Sequence, residues 1–265
     1  MFQSLMLSAL PSGLFGGALY IFHKYGPLFW AGAKTTLLIA LSGTVIGLLV
    51  GLGVGILRSL PESRLDRPMK KFSIKLIKIL SGIYVEVFRG TPMIVQAMFL
   101  FYALRPIFNW TVLVAGIFIV SINTGAYMAE IMRAGIQSLD KGQNEAARSI
   151  GMSNFQTMVF IILPQAIRNA FPAIGNEFVV NIKDTSVLNV IGVTEMYFQT
   201  TSVAGITYKV KETFLVTAIL YLFLTYTTTM ILKYIERKMN MPVHSGPSST
   251  STPMLVTQSV RQGKE

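Results

Sequence analysis

The sequence contains no cysteine, which excludes a disulfide framework and thiolate metal sites. Its two histidines, His23 and His244, lie too far apart in the chain to predict a histidine-rich metal site. No glycine-rich phosphate loop of the Gly-x-x-x-x-Gly-Lys-Ser/Thr type occurs, so the chain cannot hydrolyse ATP by that machinery. No nucleophile–base constellation is visible either. We therefore predict no catalytic residues, no metal ligands and no cofactor bound by this chain.

Charged residues are also scarce, at 13% of the chain, whereas an ordinary soluble domain has about 25%. Hydrophobic residues make up 52% and form long runs. The net charge is +11, and the basic residues lie between the apolar runs. That placement is typical of the inner loops of membrane proteins rather than of nucleic-acid binders. The composition thus predicts a polytopic membrane protein.

Five segments are apolar over roughly the 20 residues that a helix needs to cross the hydrocarbon core. They cover residues 35–57, 77–104, 111–132, 166–180 and 214–232. The second is broken at Gly90-Thr91-Pro92, and the fourth can extend past Asp184. Residues 1–29 lack the charge order of a cleaved signal peptide. We read them as a retained N-terminal extension, lying at the interface or adding a further span.

The basic residues predict the orientation of these spans. Three regions rich in lysine and arginine (58–78, 133–168 and 233–238) fall on one side if there are five spans. The other side has only Lys24, Arg105, Lys209 and Lys211. The positive-inside rule then places the N-terminus outside and the C-terminus in the cytoplasm. The tail, residues 241–265, is rich in Ser, Thr and Pro and is predicted to be disordered.

The first span has glycine at every fourth position, namely Gly43, Gly47, Gly51 and Gly55. Small residues on one helix face allow close backbone approach in lipid. We favour helix packing, within or between subunits, over a substrate-lining role for this stripe.

Residues 140–164 lie between the third and fourth spans and show the signals of two short helices. Helix formers precede Gly151, a helix stop, and Ser153 or Asn154 can cap a second helix. Pro164 suits the first turn of the next span. The pattern predicts two short helices joined at a glycine bend.

The same segment resembles the hallmark of the membrane subunits of ATP-binding-cassette (ABC) importers. That hallmark reads Glu-Ala-Ala, three residues, Gly, nine residues, Ile, one residue, Leu-Pro. The matching residues are Glu145, Ala146, Ala147, Gly151, Ile161, Leu163 and Pro164. The resemblance implies an all-α membrane protein with about five transmembrane helices and a type I ABC importer-like permease fold. It also implies a bacterial plasma (inner) membrane location.

By the same resemblance, these seven residues form the coupling segment that contacts the ATPase. The implied partners are two ABC ATPase subunits, which bind ATP and Mg, a second permease subunit and an extracytoplasmic solute-binding protein. The sequence leaves open whether the second permease subunit is identical or only similar.

The broken second span predicts a substrate site, because broken helices at membrane depth line cavities. Residues 87–92, 181–186 and 191–195 resemble signatures of polar amino-acid permeases within this family. From this resemblance we predict substrate binding by Arg89, Thr91, Pro92, Gln96, Asp184, Thr185 and Ser186. Arg89 and Thr91 suit a carboxylate, and Asp184 and Ser186 suit an ammonium group.

Three further charged features are open to two interpretations. Glu86 with Arg89, and Glu130 with Arg133, either neutralise each other as structural pairs or serve function. Glu177, Lys183 and Asp184 lie in or after the fourth span and could likewise neutralise one another or serve function.

The predicted function is a permease subunit that moves polar amino acids into the cytoplasm by ATP-driven alternating access. The alternative is a secondary transporter driven by an ion gradient. Such transporters usually contain internal repeats, none is visible here, and five spans do not divide into two equal halves. A membrane-embedded enzyme has no supporting motif, and the amino acid carried is not specified by the sequence.

Overall fold

The computed structural model describes residues 13–59 and 67–239, and every regular element in these ranges is helical. In chain order the elements are α1 (Leu14–Arg58), α2 (Pro68–Gly90), α3 (Met93–Phe108), α4 (Val112–Gln137), α5 (Lys141–Ser149), α6 (Asn154–Gln156), a π-helix (Thr157–Ile162), α7 (Leu163–Asp184), a 3₁₀ helix (Thr185–Ile191), α8 (Met196–Thr207) and α9 (Val210–Lys238).

The predicted count of about five spans agrees with these helices. Helices α1, α4 and α9 and the continuous helical segment Asn154–Ile191 are each long and apolar enough to cross a membrane. Helices α2 and α3 meet at an angle of 115°, and they bring the count to five if the bent pair is taken as one span. Helix α8 was not predicted.

Helix α1 is much longer than the first predicted span. Its 45 residues extend about 68 Å, more than twice the thickness of the hydrocarbon core. The boundary predicted between residues 29 and 30 falls inside this helix. Pro27 does not end it, because Ile21 and Phe29 are buried against Val203 and Val216 of α8 and α9. The interfacial placement of residues 1–29 stays a prediction, and residues 1–12 and the tail 241–265 lie outside the described residues.

The glycine stripe of α1 packs against α4 within the same chain. A Cβ added to Gly47 would lie 2.8 Å from Thr124 Cβ, and one added to Gly55 would lie 3.0 Å from Met132 Cβ. Gly43 and Gly51 approach Val120 and Met128 still more closely. The partner residues on α4 are also four apart, so the two helices mesh along one line. The stripe is therefore a packing surface, as favoured from the sequence.

A buried amide joins three spans. Asn181 Nδ2 on α7 donates to Thr44 Oγ1 on α1 at 2.8 Å, and Thr124 Oγ1 on α4 donates to Asn181 Oδ1 at 3.1 Å. Thr44 Oγ1 in turn donates to the Ala40 carbonyl at 2.7 Å. All three side chains are buried, where a polar group needs a hydrogen-bond partner, and these bonds supply partners inside the bundle.

An ion cluster closes one end of α1 and α4. The Glu130 carboxylate contacts both Arg58 and Arg133, with Arg133 Nη2 at 2.8 Å. The Glu130–Arg133 pair therefore forms in this chain, and Arg58 extends it to α1. At the opposite end of the bundle, α3 packs on the 3₁₀ helix through Ala97, Phe101 and Leu188.

Candidate functional site

The break in the second span is stabilised by side chains of the chain itself. Gly90 ends α2, Thr91 is extended, and Pro92 precedes α3. The last carbonyls of a helix have no intrahelical donor. Here Thr91 Oγ1 donates to the Val87 carbonyl at 2.8 Å, and Gln96 Nε2 donates to the Phe88 and Thr91 carbonyls at 2.9 Å each.

Gln96 is fixed in turn by α4. Asn123 Nδ2 donates to Gln96 Oε1 at 2.8 Å, and both side chains are buried. Gln96 was predicted to contact substrate, but both ends of its amide are engaged within the chain. The structure gives it a positioning role at the break. Thr185 is also fully buried and donates to the Ile182 carbonyl at 3.0 Å. Direct substrate contact by these two residues stays a prediction.

The open surface at the break carries a small group of charges. Arg89, Thr91 and Pro92 are exposed, and the Arg89 guanidinium lies 5.5 Å from the centre of the Tyr127 ring on α4. Glu177 on α7 is half-buried and interacts electrostatically with Arg89 and with Asp184. Glu177 thus links Arg89 of the second span with Asp184, and Asp184 also interacts electrostatically with Lys183 beside it.

Glu177 was not among the predicted site residues. The signal was nevertheless present, since an ionisable residue within a span is functional by default. Asp184 and Ser186 are half-buried near the end of the same helical segment. This surface can accept a carboxylate at Arg89 and positively charged or N–H donor groups at Glu177 and Asp184. It matches the two charges of an amino-acid zwitterion.

The segment 140–164 has the predicted glycine bend. Asp140 Oδ1 caps α5 by accepting from Gly142 N at 2.7 Å, and Gly151 has a φ of 87°. Ser153 forms a capping box with Gln156 at the start of α6. Pro164 lies in the first turn of α7, as predicted.

The predicted second short helix is not a separate element. Helix α6 continues through the π-helix, which contains Ile161, into α7, giving one helical segment of 38 residues. The capping box at Ser153 starts this segment, and the sequence from Thr157 onward has no residue that stops it. Leu163 begins α7, so the motif's last residues belong to a span rather than to a loop.

The segment 140–164 exposes three large apolar side chains. Ile150, Phe155 and Phe160 are 78%, 74% and 66% exposed. Large apolar side chains exposed on one segment are candidates for contact with a partner. Glu145, Ala146 and Gly151 are exposed beside them. Ala147, in contrast, is buried within the chain, because α5 packs on the π-helix through this face.

Comparison with known proteins gives a consistent result. Residues 69–241 match the family described as "Binding-protein-dependent transport system inner membrane component". The glutamine transport system permease protein GlnP of Escherichia coli K12 is 35% identical over 218 residues, covering 81% of this chain and 94% of that protein. The probable amino-acid permease protein YxeN of Bacillus subtilis is 42% identical over 176 residues, or 65% of this chain and 79% of that one.

Solved structures show the same fold. A crystal structure of an amino acid ABC transporter with histidines has a TM-score of 0.71 and 38% identity, covering 82% of this chain and 96% of that chain. The inward-facing MetNI methionine ABC transporter has a TM-score of 0.68 and 21% identity, covering 80% and 95%, and supports the fold alone. These likenesses confirm the predicted all-α architecture with about five spans, and they confirm the resemblance that was based on the Glu145–Pro164 motif.

Proposed function

Because this chain belongs to the family of inner membrane components of binding-protein-dependent transport systems, and is an amino-acid permease subunit of an ABC importer, we propose that it carries polar amino acids. Transport proceeds by ATP-driven alternating access. The main support is the charged surface at the broken span, where Glu177 interacts electrostatically with Arg89 and with Asp184. This arrangement complements both charges of a zwitterion.

The same surface suggests the class of side chain carried. Arg89 binds the substrate carboxylate and one acid binds the ammonium group, which leaves the second acid to accept from a donor on the side chain. Glutamine, which the E. coli relative transports by its name, has such an N–H donor, and so do basic amino acids. An apolar side chain offers no such donor to the second acid.

The energy comes from partner subunits in this proposal. Two ABC ATPases bind ATP and Mg and contact the exposed surface formed by Ile150, Phe155 and Phe160, while a second permease subunit and an extracytoplasmic solute-binding protein complete the importer. The positive-inside rule supports a cytoplasmic position for this surface, with the N-terminus outside and the C-terminus inside.

Reconstitution of the complete importer tests this proposal. We expect glutamine or a basic amino acid, with its binding protein, to stimulate ATP hydrolysis and uptake, whereas leucine does not. Arg89→Gln and Asp184→Asn should each lower uptake roughly 10- to 100-fold, because each removes a charge-assisted hydrogen bond of about 1.5–3 kcal/mol.

Arg105→Gln is the matched control. Arg105 is also an exposed guanidinium of the bent span over an aromatic ring, 5.2 Å from the centre of Phe101, but it lies at the far end of α3. Its replacement should leave uptake unchanged. Uptake driven by an ion gradient without nucleotide would contradict the proposal and favour a secondary transporter. Equal losses for Arg89→Gln and Arg105→Gln would remove Arg89 from the substrate site.

A further inference from the structure

The connection between α8 and α9, residues 206–211, exposes apolar side chains within a short stretch of chain; we call it the α8–α9 turn. Ile206, Tyr208 and Val210 are 63%, 66% and 55% exposed. Large apolar side chains exposed on one short segment are candidates for contact with a partner. None of these residues belongs to the charged surface at the broken span or to the segment 140–164.

The α8–α9 turn lies at the opposite end of α1 from the segment 140–164. Near the start of α1, a Cβ added to Gly17 would lie 2.8 Å from Glu212 Cγ, in the first turn of α9. At the other end of α1, Arg58 lines one cavity together with Asp140. The helix from Gly17 to Arg58 is about 60 Å long, twice the thickness of the hydrocarbon core. If the segment 140–164 is cytoplasmic, the α8–α9 turn is extracytoplasmic.

The α8–α9 turn is supported by buried residues on both sides. Thr207 and Thr213 are buried, and their hydroxyls donate to the Val203 carbonyl at 2.8 Å and to the Lys209 carbonyl at 2.7 Å. Val203 belongs to the core cluster that joins α8 to α1 and α9. A surface that is already ordered loses little conformational entropy when a partner binds. The exposed side chains are therefore held on a preorganised support.

Tyr208 has a backbone conformation that bulky residues rarely adopt. Its φ is 56° and its ψ is 13°, and its N–H donates to the Ala204 carbonyl at 2.9 Å, which ends α8. This left-handed conformation costs a residue other than glycine about 1–2 kcal/mol. Backbone strain of this kind is concentrated at functional sites. Tyrosine is also one of the residues that contribute most to binding at protein interfaces.

The partner of an extracytoplasmic surface must reach it from outside the membrane. The family to which this chain belongs is described by its dependence on a binding protein. Lys211, three residues after Tyr208, is exposed and suits acidic groups on such a partner. We propose that the α8–α9 turn is a contact site for the extracytoplasmic solute-binding protein, with Tyr208 at its centre and Lys211 at its rim. This inference rests on the proposed function for the partner and for the orientation.

Binding of the solute-binding protein to the reconstituted importer tests this site. The probe is the binding protein that stimulates the parent importer in the uptake assay, and its affinity is measured by biolayer interferometry on nanodiscs that contain the complete complex. Tyr208→Ala should weaken binding about 30-fold, as expected for a side chain that dominates an interface. Lys211→Gln should lower the association rate, and this loss should shrink at high salt, because salt screens charges at the rim.

Tyr226→Ala is the matched control. Tyr226 is 63% exposed on α9, but it lies about 24 Å along this helix from Val210. Its replacement should leave the affinity unchanged. Tyr208→Gly separates contact from folding, because glycine adopts the left-handed conformation without strain. This variant should unfold at the same temperature as the parent or a higher one, and it should still bind weakly.

Parent affinity in Tyr208→Ala, or equal losses in Tyr208→Ala and Tyr226→Ala, would overturn the proposal. Separation of the permease subunits in Tyr208→Ala, detected by native mass spectrometry, would instead assign the turn to the subunit interface. A lower Tm in nanodiscs with unchanged affinity would assign it to the lipid surface.

Stimulation of ATP hydrolysis distinguishes failure of this inference from failure of the proposed function. A parent importer that no binding protein stimulates would contradict the proposed function, and this inference with it. A parent that is stimulated, with Tyr208→Ala stimulated at the same concentration of binding protein, would refute this inference alone.

Discussion

Replacing Gly51 by alanine probes the contact between α1 and α4 at its tightest point. The added Cβ would lie 2.8 Å from Ala129 N and from the Met128 carbonyl carbon, and these are backbone atoms that cannot rotate away. Gly53, two residues along the same helix, would place its added Cβ in open space, with no atom within 4 Å. The two glycines therefore differ in their surroundings but share one helix.

The expected magnitudes follow from this difference. Alanine is favoured over glycine in a helix by about 1 kcal/mol, and this gain applies at both positions. Overpacking at Gly51 costs about 1–3 kcal/mol and is absent at Gly53. Gly51→Ala should therefore be less stable than Gly53→Ala by about 1–3 kcal/mol.

Thermal unfolding of the purified chain in detergent measures this difference. For a chain of this size each kcal/mol corresponds to about 2–4 °C in Tm, so the two variants should differ by several degrees. Gly47→Ala should change Tm in the same direction as Gly51→Ala, because its added Cβ would lie 2.8 Å from Thr124 Cβ and 3.1 Å from Gly125 N. Equal Tm values for the Gly51 and Gly53 variants would refute the close α1–α4 contact.

Three further variants test other parts of the fold. Asn181→Leu should destabilise the chain by about 1–2 kcal/mol in the same assay, since two interhelical hydrogen bonds are lost, whereas Asn176→Leu on the exposed face of α7 should not. Glu130→Gln should cost about 1–3 kcal/mol, and a double-mutant cycle with Arg58→Gln should show coupling; additive effects would exclude that pair. Gly151→Ala should add about 1–2 kcal/mol of backbone strain and so lower the affinity of the chain for its ATPase, which co-purification measures. Gly151→Asn should retain the affinity, because asparagine tolerates this conformation.

The spans could be predicted from the sequence because hydropathy and length determine them directly. The ends of the spans could not be predicted in the same way. Residues 14–29 join α1 because Ile21 and Phe29 bury against Val203 and Val216, and such long-range contacts leave no periodic signal in the local sequence. The helical continuation beyond Thr157 was missed for a similar reason, since a π-helix has no sequence signature of its own.

In the candidate site, too, local features could be predicted from the sequence and long-range contacts could not. The break at Gly90-Thr91-Pro92 was visible because proline and glycine act locally. The burial of Gln96 depends on Asn123, which is 27 residues away, so its positioning role could not be read from the motif. Ala147 likewise matches the hallmark sequence, yet α5 turns it toward the chain because its helical face packs on the following segment.

The amide of Asn181 and the glycine stripe have a mechanical consequence for the subunit. Together they tie α1, α4 and α7 into a unit that cannot shear internally without breaking buried hydrogen bonds or separating meshed backbones. Any change of shape that preserves those bonds and contacts must carry the three tied helices as one rigid block.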